Sequence, residues 1–284
     1  MQWWCSAQDE PWTWAWQPFP GVWLFIALIA FAYFRIMRSA QAADPTLRAK
    51  PYVATFVPGL VLLWIALDWP VGAIGAGYLA SVHMVQFLVM GMIAPPLMLY
   101  GIPETVFLRL SARALAVLRP ITRPVVAFAA FNLMVVVTHM PPVVDTLMVS
   151  QAGSFLNDML WLSGGLLFWW PVVVGTPGGS QLRELAKIGY LGFQIIAMKP
   201  MFVYLTFSRF PQYATFELAP RISGISARAD QQIAGLLMEV GGMIIILIAV
   251  GVVFLKWYAK EESGVQRAVV PPATAPAAPA GRDG

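Results

Sequence analysis

Charge is the scarcest property of this sequence. Only 11% of its 284 residues are Asp, Glu, Lys or Arg, against 59% hydrophobic residues and a mean hydropathy of +0.69. A soluble domain carries about 25% charged residues. A water-facing globule of this size is therefore excluded, as are disorder and a collagen-like repeat over the whole chain. Cysteine is also scarce: Cys5 stands alone, which excludes an intrachain disulfide and a disulfide scaffold. Histidine occurs only at positions 83 and 139, which limits any histidine-rich metal site before geometry is considered. There is no P-loop, dinucleotide fingerprint, GxSxG elbow or HExxH string, so an enzyme is not expected. Residues 1–20 hold no Lys or Arg. The basic start of a cleavable signal is missing, and none is expected there. The same stretch holds Trp3, Trp4, Trp12, Trp14 and Trp16, whose rings favour the membrane–water interface.

What is present is apolar sequence in long unbroken runs. A helix needs about 20 apolar residues to cross a hydrocarbon core roughly 30 Å thick. A transmembrane β-barrel would instead show alternating strands of about ten residues. Seven runs qualify, at residues 22–37, 52–68, 73–100, 124–139, 154–174, 188–208 and 231–257. The third is longer than one span needs, and Pro95-Pro96 is expected to bend it or end it early. With the amino terminus outside, the inner segments hold fourteen basic residues and the outer ones only Arg209, Arg221 and Arg228. Cytoplasmic loops carry the excess of Lys and Arg. The expected fold is thus all-α: a polytopic membrane helix bundle of seven transmembrane helices, N-terminus outside and C-terminus inside. Its parts are an aromatic-rich outer segment (1–21), the membrane domain (22–258) and a disordered Pro/Ala-rich cytoplasmic tail (259–284). The net charge of +4 is read as orientation, and no nucleic-acid partner is expected. Among the inner segments, residues 104–119 place Val106, Phe107, Leu110, Ala114 and Val117 on one helical face and Arg109 and Arg113 on another. That pattern suits a helix lying in the interface or a plain basic loop.

Polar side chains inside a span are costly and are functional candidates by default. Asp68, His83, Gln86, His139, Asp145, Asn157, Asp158, Asp230, Gln231 and Gln232 all fall in the outer half, so the working site is expected to face outward, the periplasmic side in a bacterium. His83, Gln86 and Met90 share one helical face; imidazole and thioether suit copper, and packing alone would also explain them. His139 opens HMPPVVD at a helix end and either binds a metal or caps carbonyls. Asp230 reads as an N-cap, and Gln231, Gly235, Met238 and Gly242 share a face that suits close helix packing. Lys199 and Glu239 both lie roughly 12–14 Å deep on neighbouring helices, and are expected to form a structural ion pair. A proton path through them is the alternative.

In order along the chain, HMVQF, APPLMLYGIP, THMPPVVD, GLLFWWPVVVGTP, FPQYA and DQQIAGLLM resemble the CtaG-like family of cytochrome c oxidase assembly factors, over about residues 67–238. The resemblance implies a multi-pass protein of the bacterial inner membrane that helps mature haem–copper oxidase. Copper is the implied cargo, and oxidase subunits or their assembly intermediates are the implied partners. It carries His83, His139, Asp230 and Met238 over as tentative metal residues. The family reads HMxQH where this chain has Phe87 in the last position. It tends to carry histidines where this chain has Ser154, Asn157 and Asp158, and Trp where this chain has Glu239. Two histidines do not make a three- or four-histidine copper site. Copper binding here needs Met, Asp or Cys, needs a partner, or is absent. A non-metal-binding scaffold of a respiratory complex and a small copper or proton transporter are the competing expectations.

Overall fold

The computed structural model describes residues 2–174, 182–222 and 224–269, and among these every regular element is helical. In chain order the helices are α1 (Pro20–Ala43), α2 (Lys50–Leu67), α3 (Val71–Gly77), α4 (Ala80–Phe87), α5 (Ala94–Tyr100), α6 (Glu104–Leu108), α7 (Ala112–Ile121) and α8 (Pro124–Thr138). They continue with α9 (Pro141–Leu147), α10 (Gln151–Val173), α11 (Glu184–Ala197), α12 (Lys199–Phe207), α13 (Ala214–Glu217), α14 (Ala227–Leu236) and α15 (Gly242–Val269). Two π turns, Leu88–Ile93 and Leu237–Gly241, join α4 to α5 and α14 to α15.

Five stretches are long and apolar enough to cross a membrane: Pro20–Ala43, Lys50–Leu67, Ala80–Tyr100, Glu184–Phe207 and Ala227–Glu262. A sixth qualifies if α7 and α8, bent by 68° at their junction, count as one span. These are the helices of a multi-pass membrane protein. The shortfall from seven has a physical reason at each place. Helix α8 has 15 residues, short of the roughly 20 needed, and α10 has 23 residues but is diluted by buried Ser154, Asn157 and Asp158.

The third run departs from the sequence expectation. Its break falls at Tyr78–Leu79, and the helix then continues through Pro95-Pro96 to Tyr100. Proline has no N–H and crowds the preceding turn. The wider π turn at Leu88–Ile93 lies directly before the two prolines, which sit in the first turn of α5. The fourth run ends as expected near His139, and Pro141 and Pro142 open the short helix α9. At the carboxyl end, α15 runs to Val269, past the expected start of the tail at 259; residues 270–284 lie outside the described residues.

Between helices in lipid there is little hydrophobic driving force, so close packing and interhelical hydrogen bonds hold the bundle. Asn132 on α8 and Gln194 on α11 exchange bonds of 2.9 and 3.2 Å. Tyr190 donates to the Phe168 carbonyl at 2.9 Å, Tyr33 to the Gly101 carbonyl at 3.0 Å and Gln86 to the Ala66 carbonyl at 2.7 Å. Each such bond is worth about 0.6 kcal/mol on average in a bilayer. Gly165 on α10 lets the backbone approach closely: a Cβ there would meet Pro95 Cγ at 2.7 Å. The centre is aromatic, with Phe87, Phe131, Trp161 and Phe168 fully buried.

Candidate functional site

The two histidines come together at one end of the bundle. Because α3 is a separate short helix, the span begins at Ala80, and His83 lies only about 4.5 Å along it. That brings it level with His139, which follows the last residue of α8. Both rings pack on Trp161 of α10, with centroids 4.7 Å away for His83 and 5.8 Å for His139. Phe87, one turn after His83, packs edge-on to His139 at 4.9 Å and to Trp161 at 5.5 Å.

Hydrogen bonding fixes the tautomer of His139. His139 Nδ1 lies 2.8 Å from the Val135 carbonyl. A carbonyl only accepts, so Nδ1 carries the hydrogen and, in the neutral ring, Nε2 carries the lone pair. Gly75 packs closely on the start of α4: a Cβ there would meet Gln86 Oε1 and come within 3.1 Å of the His83 amide nitrogen. Both Nε2 atoms are buried and have no hydrogen-bond partner among the described residues. His139, anchored through Nδ1 to a carbonyl with its other nitrogen free, has the arrangement of metal-ligating histidines. The carbonyl-capping role expected of His139 is also present, through the same Nδ1. Among the described residues no group of three or more His, Cys, Asp or Glu side chains is arranged to hold a metal ion.

Neighbouring chain segments hold this pair in place. The Tyr213 hydroxyl donates to the His139 carbonyl at 2.8 Å, and Phe216 packs on His83 at 5.3 Å. Asp145 accepts from the Thr215 amide at 2.9 Å and from its hydroxyl at 2.8 Å, which ties α13 to α9. Trp161 Nε1 donates to Thr138 Oγ1 at 3.0 Å.

Asp230 caps a helix, but not its own. Ser226 caps α14, accepting from the Ala229 amide at 3.2 Å. Asp230 instead accepts from the Ala80 amide at 2.6 Å and from the Ser81 hydroxyl, at the start of the helix that carries His83. Its exposure is 2%, so its oxygens are engaged in setting where α4 begins. Bonds to an ionised acceptor are worth about 1.5–3 kcal/mol each. Asp230→Ala is therefore expected to lower stability by about 2 kcal/mol. Thermal unfolding in detergent should show it as a midpoint about 5 °C lower. An unchanged midpoint would mean that the cap does not hold α4.

Met238 is fully buried in the second π turn, which packs against α4 and α12. Glu239 is in the same turn, and the Lys199 ammonium donates to its Oε1. The side chains are 10% exposed for Glu239 and 49% for Lys199.

The amino-terminal segment is where the structure adds most to the sequence reading, which expects it to lie in the interface as a band of tryptophans. Trp14 and Trp16 are indeed exposed, but Trp4, Cys5 and Phe19 are buried. Residues 2–19 fold over the histidine end of the bundle. The Trp3 amide donates to Gln151 Oε1 at 2.7 Å, the Ala7 amide to the Met148 carbonyl at 2.8 Å, and Trp4 Nε1 to Asp158 Oδ2 at 2.8 Å. The Cys5 thiol donates to the Leu67 carbonyl at 3.2 Å. Burial, and then the nearby Asp158 and Asp68 carboxylates, push that thiol well above its ordinary range, the opposite of what a thiolate metal ligand needs. No periodicity marks such a segment; the only signal in the chain is tryptophan in excess of what an interface needs.

Comparison with known proteins gives one family. The model of the cytochrome c oxidase caa3 assembly factors matches residues 31–260. A curated protein of Mycobacterium leprae described as uncharacterized is 24% identical over 198 residues, covering 62% of this chain and 30% of that protein. The chain thus spans under a third of the length of that relative. No solved structure gives a significant match.

Proposed function

The chain belongs to the family of cytochrome c oxidase caa3 assembly factors, matched over residues 31–260, and from that premise we propose that it handles copper for a nascent haem–copper oxidase at the histidine end of its bundle. The observation that carries this reading is the pair of buried imidazole Nε2 atoms, on His83 and His139, with no hydrogen-bond partner among the described residues. Imidazole suits copper, and a site of few protein ligands suits a cargo that must be released. Met238 and Asp230, carried over by family resemblance, serve differently in this reading. Met238 lines the neighbouring π turn, and Asp230 positions α4. The proposed setting is the bacterial inner membrane, with seven spans, the amino terminus and the histidine end on the periplasmic side. Fourteen inner against three outer basic residues support that orientation. The proposed partners are oxidase subunits or their assembly intermediates, and the role is non-catalytic.

One observation favours a second reading, a scaffold without metal. Phe87 fills the position of a family histidine and packs on His139, and no three-ligand group exists among the described residues. One experiment separates the two. A deletion strain is complemented with wild type, His83→Ala or His139→Ala, and both oxidase activity and the copper content of the purified protein are measured. Copper handling predicts that the deletion lowers oxidase activity, that each variant fails to restore it, and that bound copper falls at least about tenfold. Restored activity with unchanged copper in both variants would sink the copper reading and leave the scaffold. Normal oxidase in the deletion strain would sink both.

A further inference from the structure

The opposite end of the bundle holds a pocket, independent of the histidine site. It is a cavity of about 410 Å³ between α1 and the α6 segment, lined by Arg35, Ser39, Thr105 and Arg109 with an apolar floor that includes Ile36 and Leu110. The polar residues come in two pairs, each four residues apart: Arg35 and Ser39 on α1, and Thr105 and Arg109 at and just beyond α6. Residues at that spacing share a helical face, so an arginine–hydroxyl pair on one element confronts an arginine–hydroxyl pair on the other. Thr105 Oγ1 is buried and has no hydrogen-bond partner among the described residues, although hydroxyls buried in a protein are normally bonded. No carboxylate of the described residues forms a salt bridge with either arginine. The nearby acid is Asp44, which accepts from the Thr46 amide at 3.0 Å and hydroxyl at 2.6 Å through one oxygen and also feels the charge of Arg109.

We propose that this pocket binds the phosphodiester headgroup of an anionic phospholipid from the leaflet at the basic end. Guanidinium groups match phosphate oxygens in a bidentate fork. Thr105 and Ser39 offer hydroxyl donors, and the floor of Ile36 and Leu110 receives the upper part of an acyl chain. Basic pockets between membrane helices recognise lipid headgroups in this way. Position adds to the chemistry. Helix α1 is one of the apolar spans, with Arg35 and Ser39 in its last turns. Amphipathic α7, with no buried residue and Val117 and Ile121 exposed, begins three residues after Arg109. A lipid bound between α1 and α6 would therefore pin the segment that carries α7 onto the bilayer surface.

The test titrates the full-length protein in micelles with phosphatidylglycerol, phosphatidylcholine or inorganic phosphate, and reads bound species by native mass spectrometry. Phosphatidylglycerol should bind. The Arg35→Gln/Arg109→Gln double variant should bind it about thirtyfold more weakly, the combined effect of taking two basic side chains away from the phosphate. Thr105→Val, which keeps charge and volume, should weaken it about fivefold, and this variant decides the matter if the double variant does not fold. Arg113→Gln on α7 should leave binding unchanged. Unaltered phosphatidylglycerol binding in the double variant or in Thr105→Val would overturn the proposal. So would an equal loss in Arg113→Gln, which marks a diffuse basic surface. Displacement of the lipid by inorganic phosphate at comparable affinity would make this a free-anion site and overturn the lipid assignment.

Discussion

Lys199→Met is expected to destabilise the protein by about 3 kcal/mol, because it leaves Glu239 as a lone carboxylate inside the bundle. Glu239 is 10% exposed by side chain and sits in a π turn, where the surrounding helices offer it little water. Removing one partner of a buried pair typically costs about 3–5 kcal/mol, while replacing both by apolar residues is often neutral. The double variant Lys199→Met/Glu239→Met should therefore unfold close to wild type. Glu239→Met alone should cost less than Lys199→Met, because the half-exposed Lys199 side chain can extend its ammonium toward a polar surface. Chemical unfolding in mixed micelles measures all four proteins, and the cycle should return a coupling energy of at least about 3 kcal/mol. Single effects that simply add would show that the two charges do not support each other. A double variant that stays stable but loses oxidase assembly would instead give the pair a working role.

The second large effect is expected from Phe87→His. Phe87 is fully buried and its ring touches both His139, at 4.9 Å, and Trp161, at 5.5 Å. An imidazole there would stand one helical turn from His83, on the same helix, and beside His139. Without metal the change removes aromatic packing and buries a new polar group, together costing about 3 kcal/mol. With copper the third imidazole should tighten binding at least about tenfold. The signature is a sign change: a lower unfolding midpoint for the metal-free variant, and a larger upward shift on adding copper than in wild type, because a ligand that binds only the folded state stabilises it by mass action. Equal copper-induced shifts in variant and wild type would show that position 87 does not face the ion.

Much of the fold is legible in the chain. Long apolar runs identify helices because lipid leaves backbone polar groups no other partner, and α1, α2, the Ala80–Tyr100 helix, α11–α12 and α14–α15 lie where the runs are. Less legible are the irregularities. The break at Tyr78–Leu79 follows three glycines, Gly72, Gly75 and Gly77, a weaker stop signal than a proline pair. The prolines at 95 and 96, which read as a stop, are absorbed by a π turn. Composition cannot say which of these a neighbouring helix will support.

The candidate site divides in the same way. His83 and His139 stand out by rarity, and Lys199 and Glu239 by their cost in a span, since both signals are intrinsic to the residue. The order of residues is enough to establish a helical, multi-pass chain with a strongly asymmetric distribution of basic residues and a polar group confined to one end. The partners of those polar groups come only from packing. It puts Asp230 on the amino terminus of α4 rather than α14, folds Trp4 and Cys5 against α10 and α2, and leaves two imidazole nitrogens without a bond. Such contacts join residues about 150 positions apart, as in the bond from Ala80 to Asp230. Periodicity reports only which face of a helix is buried, and the contact itself exists only once helices distant in the chain are packed side by side.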